Sequence, residues 1–178
     1  PLAENMQLIV PIGLQIMRKA CAFLKQMEEE GYHDVKVAVN ISAIQLFRNE
    51  FLEDWLKVVN AAKVNVRNLL LEVTESVFLN NYEDVNKKLG HLKEQGIEIA
   101  IDDFGVGYSS FARVEELNVD YLKLDKCFID KLLSLDHDKT IISDIISMAH
   151  KLGYSVVAEG VEYEEQMKYL VDCDCDFL

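Results

Sequence analysis

The chain of 178 residues is poor in positive charge and contains no long hydrophobic run. Its 18 lysine and arginine residues stand against 31 aspartate and glutamate residues, which gives a formal net charge of -13. We therefore exclude general binding to DNA, RNA or an anionic membrane, since such binding needs a basic face. No stretch approaches the ~20 apolar residues of a membrane-spanning helix. A hydrophobic content of 50% in a chain of this length predicts a water-soluble domain with a substantial core.

Cysteine and histidine are also scarce, and neither forms a pattern typical of a zinc site or of a disulfide framework. We interpret the cysteines as reduced thiols, which favours a cytoplasmic location for the domain. No secretory leader opens the chain, although a first residue Pro1 is typical of a cut point and leaves open a membrane anchor in a longer parent protein. The cysteines are Cys21, Cys127, Cys173 and Cys175. The histidines, which we place on the surface, are His33, His91, His137 and His150.

Strand and helix patterns alternate along the chain with little linker between them, which is typical of parallel α/β architecture. The predicted helices cover residues 8–30, 51–62, 82–95, 140–152 and 163–171. The predicted strands cover residues 35–42, 69–76, 97–101, 119–125 and 154–162, and another strand begins within 173–178. On the first helix we expect one buried face with Ile9, Ile12, Ile16, Met17, Ala20, Phe23, Leu24 and Met27. We see no domain boundary.

Most of the predicted strands carry a polar residue at or near the carboxyl end. These residues are Asn40, Glu72, Asp102 with Asp103, Lys123 and Glu159. Taken alone, Asp102 and Asp103 are equally consistent with a solvated turn closed by Gly105, and Asn40 or Lys123 with satisfied interior residues. In a parallel barrel, however, all strand carboxyl ends open on one face, so that these side chains converge there. We therefore expect an active site.

The chemistry of this set favours Mg²⁺ or Mn²⁺, because carboxylate and amide oxygens suit these ions better than zinc. The adjacent Asp102 and Asp103 are suited to two neighbouring ions, an arrangement that holds a phosphoryl group and activates water. Lys123, which we expect to be half-buried, would orient that water or stabilise charge on phosphate. A magnesium-dependent enolising enzyme is a further hypothesis, although no base for such a reaction stands out.

Five segments resemble, in order and spacing, the signature motifs of bacterial EAL domains. They are Val39-Asn40-Ile41-Ser42, 71–76 (Leu-Glu-Val-Thr-Glu-Ser), 101–105 (Ile-Asp-Asp-Phe-Gly), 122–125 (Leu-Lys-Leu-Asp) and 158–162 (Ala-Glu-Gly-Val-Glu). The resemblance covers essentially the whole chain. It implies a modified TIM (β/α)8 barrel that hydrolyses cyclic-di-GMP to linear pGpG.

The resemblance also implies roles for individual residues. Asn40, Glu72 and Asp102 would bind the first metal ion, with Asp102 bridging to a second ion held by Asp103. Glu159 would bind the second ion or take a proton from the attacking water, which Lys123 would position. Glu75 would anchor the loop from Phe104 and Gly105 to Ser110, which in the family shapes the second-metal site and couples it to dimerisation, and Glu162 would support the substrate end. The implied partners are cyclic-di-GMP, a second copy, and flanking GGDEF or sensory domains.

Several departures from the family pattern are visible. The Glu-Ala-Leu tripeptide is absent, since residues 1–4 resemble the segment just after it, the closing Gln-Gly-aromatic motif is also absent, and Val106 replaces the usual threonine. We therefore predict that residues 1–178 are a single EAL domain trimmed at both ends, incomplete as a barrel and impaired as an enzyme, from a competent parent. The alternative is a non-catalytic cyclic-di-GMP receptor or protein-interaction module.

Overall fold

The computed structural model describes residues 2–6, 8–79, 81–105, 115–132 and 141–178. The strands are parallel and follow the chain order β1-β2-β3-β4-β5. The chain divides into two compact units, Pro1–Ile99 and Ala100–Leu178, which are described separately. Within the described ranges, no helix combines the length and the apolar character that crossing a bilayer requires.

The first unit contains the parallel strands β1 and β2 together with several helices. The elements are α1 (Leu2–Asn5), α2 (Ile9–Glu29), β1 (Val37–Ile41), α3 (Ala43–Leu46), α4 (Phe51–Ala62), β2 (Leu69–Thr74) and α5 (Tyr82–Glu94), with 3₁₀ helices at Val66–Asn68 and Glu75–Phe78. The register of β1 and β2 places Asn40 opposite Glu72. The predicted alternation is confirmed, whereas α3 and the 3₁₀ helices were not predicted.

The buried face of α2 differs from the predicted one. The buried residues are Gly13, Met17, Ala20, Cys21 and Leu24, whereas Ile12, Ile16 and Phe23 are 40%, 46% and 46% exposed. Successive residues of a helix are separated by about 100°, so that Ile12 and Ile16 cannot share the direction of Gly13 and Met17. The prediction of one wide apolar face was therefore wrong for Ile12, Ile16 and Phe23.

Helix α3 packs against α2 at a glycine. Gln45 is only 3% exposed, and its Oε1 accepts a hydrogen bond from the backbone N–H of Ser42 at 3.2 Å. Its amide Nε2 would lie 1.9 Å from a Cβ atom at Gly13. A glycine at this position of α2 is therefore required by the close approach of the Gln45 side chain.

Within the described residues, the second unit contains parallel strands and three helices. Its elements are the larger part of β3 (Glu98–Phe104), then β4 (Tyr121–Leu124), α6 (Lys126–Lys131), α7 (Ile142–Lys151), β5 (Ser155–Ala158) and α8 (Glu164–Asp172). β4 pairs in parallel with β3 and with β5. Val157 and Phe177 form a parallel bridge, in agreement with a strand beginning near the last residues.

All five strands of the described residues differ in their bounds from the predicted ranges, and two of the differences change where site residues lie. β3 continues through Asp102 and Asp103 to Phe104, with an irregular register between Ile101 and Phe104, so that the aspartates lie within the strand. β5 ends at Ala158, and Glu159 follows it directly. The apolar run that predicted β3 stops at Ile101, whereas the ladder continues because Phe104 is fully buried and pairs with Leu124.

The short helix α6 contacts the two glycines that follow β3 and β5. A Cβ atom at Gly105 would lie 2.8 Å from the Phe128 ring, and one at Gly160 would lie 2.6 Å from Cγ of Lys126. Both glycines have positive φ angles, 89° and 74°, which side-chain-bearing residues rarely adopt. Helix α6 was not predicted from the sequence.

Candidate metal and catalytic site

The first group of predicted site residues consists of Asn40 on β1 and Glu72 on β2. Their side chains meet because residues paired in register on neighbouring strands project from the same face. Asn40 Nδ2 donates a hydrogen bond to Glu72 Oε2 at 3.1 Å. Glu72 is 7% exposed, whereas Asn40 is exposed. The pair thus presents an amide and a carboxylate, both of which carry hard oxygen donors.

The second group is organised around Lys123 on β4. Its Nζ lies 2.9 Å from Asp102 Oδ1 and 2.7 Å from Glu159 Oε1. Lys123 is 7% exposed, and thus more buried than the half-buried position predicted from the sequence. A buried ammonium is stable only when it is paired, and the two carboxylates supply that pairing. The ammonium is therefore held in a fixed direction.

Asp103 has a backbone conformation unlike that of its neighbours. Its φ of 54° is left-handed, a region that aspartate tolerates better than most residues, and it coincides with the irregular register of β3. Partial burial, followed by the negative charges of Asp102, Asp125 and Glu159, raises the pKa of the Asp103 carboxyl. A cation beside Asp103 would relieve this repulsion.

The remaining predicted residues lie around these groups. Glu75 begins the 3₁₀ helix after β2 and is 6% exposed. Glu162 Oε1 forms an ion pair with Lys126 Nζ at 2.8 Å. Phe104 is fully buried and Gly105 turns the chain. The loop that Glu75 was expected to anchor lies from residue 106 onward outside the described residues, as do Val106 and His137.

Divalent metal ions fit the chemistry of these residues. In the described part of the chain, no three His, Cys, Asp or Glu side chains are grouped so that they could hold a metal ion. Lys123 supplies a positive charge between Asp102 and Glu159. The pKa of the Asp103 carboxyl is raised by burial and by the negative charges around it. The donors are carboxylate and amide oxygens, the ligands that Mg²⁺ and Mn²⁺ prefer. The roles of individual residues as ligands stay predictions.

Two polar residues next to Lys123 were missed as site residues in the sequence. Asp125 accepts the Cys127 backbone N–H at 2.8 Å and caps α6, while its charge raises the Asp103 pKa. Lys126 packs on Gly160 and pairs with Glu162. An aspartate at the start of a helix is a recognisable capping signal, but a six-residue helix is too short to show a clear apolar period.

The fold and the two groups define a class of protein. This is a parallel α/β domain whose strand ends carry paired carboxylates, an amide and a buried lysine. The EAL domain family model matches residues 1–178, and the chain belongs to the EAL domain family. The membership predicted from the five motifs is therefore confirmed.

Individual relatives agree with this assignment. The chain is 38% identical over 99% of its length to Signaling protein YkoW of Bacillus subtilis, and 36% identical over 99% to Cyclic di-GMP phosphodiesterase NbdA of Pseudomonas aeruginosa. It spans only 22% and 23% of those two proteins.

A solved structure confirms the fold class. The structure described as PaMucR phosphodiesterase in complex with c-di-GMP matches the chain with a TM-score of 0.92 and 35% identity. The match covers 98% of this chain and 71% of that one. The full-length relative MucR of Pseudomonas aeruginosa is named a bifunctional diguanylate cyclase/cyclic di-GMP phosphodiesterase, and the chain spans 26% of it. The predicted EAL-type α/β barrel fold is thus confirmed.

Proposed function

We propose that the protein containing this chain hydrolyses one phosphodiester bond of cyclic-di-GMP and releases linear pGpG. The observation that carries the proposal is the position of Lys123, fixed between Asp102 and Glu159 at 2.9 and 2.7 Å. In a family whose members include named cyclic-di-GMP phosphodiesterases, a buried lysine held between two carboxylates supplies a fixed positive charge of the kind that hydrolysis of a phosphodiester requires. Burying these charges costs free energy, and apolar side chains of similar size would fill the same space with a smaller free-energy penalty.

Divalent ions are the cofactors of the proposed reaction, either Mg²⁺ or Mn²⁺. Asn40, Glu72, Asp102, Asp103 and Glu159 would hold the ions. This assignment rests on family membership and on the oxygen-rich donor set. When bound, the ions supply neutralisation of the phosphodiester charge and activation of water.

The protein side chains perform the remaining steps. Lys123 donates hydrogen bonds from an ammonium whose direction Asp102 and Glu159 fix, and it thereby orients the water that attacks phosphorus. Glu159, with 41% of its side chain exposed, accepts the proton that this water loses. Glu162 would support the substrate end of the site.

The test is cyclic-di-GMP hydrolysis by the complete gene product, measured as pGpG release with Mg²⁺, with Mn²⁺ and with a chelator. We expect metal-dependent release that Asp103→Asn abolishes. Glu165→Gln is the matched control, because Glu165 is an exposed acid on α8, outside both groups. Release that persists in the chelator, or in Asp103→Asn, would refute the metal assignment.

A receptor is the second candidate function. Lys123 forms ion pairs with both Asp102 and Glu159, and a fixed ammonium of this kind also suits the binding of a nucleotide phosphate without turnover. Binding of cyclic-di-GMP with no pGpG in any metal would establish the receptor. The absence of both binding and turnover would point to a protein-interaction module.

The relatives also suggest the further domains, the oligomeric state and the cellular location of the whole protein. The chain spans about a quarter of the curated relatives, one of which is named bifunctional with diguanylate cyclase activity. We propose flanking GGDEF or sensory domains, a homodimer, and a cytoplasmic position of this domain. Size-exclusion chromatography with light scattering on the complete protein tests the dimer, and a monomer at assay concentration would refute it.

A further inference from the structure

A buried lysine outside the two groups lies on helix α5. Lys88 is 7% exposed, although the neighbouring Lys87 on the same helix is exposed. Charged side chains are almost never fully buried unless they are paired. An isolated exposed lysine would need no explanation, whereas the burial of Lys88 does.

Lys88 contacts the segment that follows strand β1. Its Nζ donates hydrogen bonds to the backbone carbonyl oxygens of Leu46 at 2.9 Å and Arg48 at 3.2 Å. The Asp84 carboxylate, one turn earlier on α5, lies 2.8 Å from the same nitrogen and supplies the counter-charge. Lys88 therefore satisfies the carbonyl of Leu46, the last residue of α3, where a helix leaves its final carbonyls without intrahelical partners, and it also holds the carbonyl of Arg48 two residues later.

These contacts hold the segment that begins at Asn40. Only Ile41 and Ser42 separate Asn40 from α3, and α3 is fixed at its start by the Gln45 hydrogen bond to Ser42 and at its end by Lys88. Helix α5 in turn follows β2, the strand that carries Glu72. Lys88 thus ties the connection after Asn40 to the helix that follows the Glu72 strand.

We propose that Lys88 is a positioning residue for the metal site, which it serves by fixing Asn40 beside Glu72. This inference rests on the proposed function. Lys88 touches neither residue, and its effect passes through the backbone of residues 41–48. Residues that orient metal ligands through a second contact typically change metal affinity by 10- to 100-fold when they are substituted.

The test is Mn²⁺ binding to the complete, nucleotide-free protein, measured by calorimetry. Lys88→Met keeps the length of the side chain and removes the donor, and we expect it to weaken Mn²⁺ binding by about 10-fold. Lys87→Met is the matched control and is expected to bind as the wild type does. Hydrogen exchange without metal is the second readout, and in Lys88→Met the amides of residues 42–48 should exchange faster.

A double-mutant cycle separates positioning from general stability. If Lys88 acts through Asn40, then Lys88→Met has no further effect on Mn²⁺ affinity once Asn40→Ala is present. Where Lys88→Met does not fold, Asp84→Asn replaces it, because it removes only the counter-charge and should weaken binding in the same direction by a smaller factor. Wild-type affinity in the folded variant would overturn the role of Lys88 alone. A wild-type protein that binds no Mn²⁺ would instead overturn the metal site and the role with it.

Discussion

Replacement of Gly13 by alanine perturbs the contact between α2 and α3. In the interior of a helix, this substitution ordinarily stabilises a protein by about 1 kcal/mol, because alanine restricts the unfolded chain and favours the helix. Gly13 lies inside α2, four residues after its first residue. Propensity alone therefore predicts a gain in stability.

Packing predicts the opposite sign. The added Cβ atom would lie 1.9 Å from Gln45 Nε2, so that the amide must move by about 1.5 Å to reach an ordinary contact of 3.4 Å. Gln45 is 3% exposed, and this movement would strain or break its hydrogen bond with Ser42, a loss of about 1 kcal/mol. Overpacking of a filled interior adds about 1–3 kcal/mol. After the propensity gain is subtracted, we expect Gly13→Ala to lower the free energy of unfolding by about 1–3 kcal/mol.

The assay is urea unfolding followed by circular dichroism, with a double-mutant cycle that includes Gln45→Ala. In the Gln45→Ala background the obstructing amide is gone, and Gly13→Ala should stabilise the protein by up to about 1 kcal/mol. With the full gain of about 1 kcal/mol, the coupling energy between the two positions is then about 2–4 kcal/mol, at the upper end for residues in contact. A single variant Gly13→Ala as stable as the wild type, or two additive substitutions, would refute the packing argument.

Three further substitutions test the charged residues of the second unit. The raised pKa of Asp103 penalises its ionised form in the folded, metal-free protein above the ordinary value of 3.8. Asp103→Asn should therefore stabilise the chelator-treated protein at pH 7 by a fraction of a kcal/mol, a gain that urea unfolding should show to vanish below that pH. Hydrogen bonds from the thiol and backbone N–H of Cys127 lower the pKa of Asp125, so its capping contribution is present above 3.8 and lost in acid. Asp125→Ala should lower the free energy of unfolding by about 1 kcal/mol at pH 7, and this difference from the wild type should disappear on acidification. A difference in the free energy of unfolding that does not depend on pH would contradict the charged cap. Lys123→Met leaves Asp102 and Glu159 without their cation and should cost about 1–3 kcal/mol in urea unfolding while abolishing pGpG release, whereas a fully active Lys123→Met would contradict the proposed role.

Elements with a long apolar period could be predicted from the sequence, and short ones could not. Helix α4 begins and ends at the predicted residues, Phe51 and Ala62, because Phe51, Trp55 and Val59 recur at helical spacing on its buried side. Helices α3 and α6 have four and six residues, which is too few for such a period to show. Tertiary contacts determine them instead, such as the burial of Gln45 against Gly13.

The candidate site shows the same division. The contact of Lys123 with Asp102 and Glu159 follows from a simple rule, since all three lie at or near the carboxyl ends of neighbouring parallel strands. The left-handed backbone of Asp103 did not follow from the sequence, because an irregular register depends on how β3 and β4 pair. Lys88 was likewise invisible, since nothing in the sequence distinguishes it from the exposed Lys87 beside it.

The packing of α6 on two glycines has a mechanical consequence. Phe128 lies against Gly105, directly after the strand of Asp102 and Asp103, and Lys126 lies against Gly160, directly after Glu159. The chain segments that follow β3 and β5 therefore both pack against the same short helix, which is about two helical turns long. A rotation of α6 would displace both segments at once. Asp102, Asp103 and Glu159 would then move together, and their distances from Lys123 would change in a correlated way.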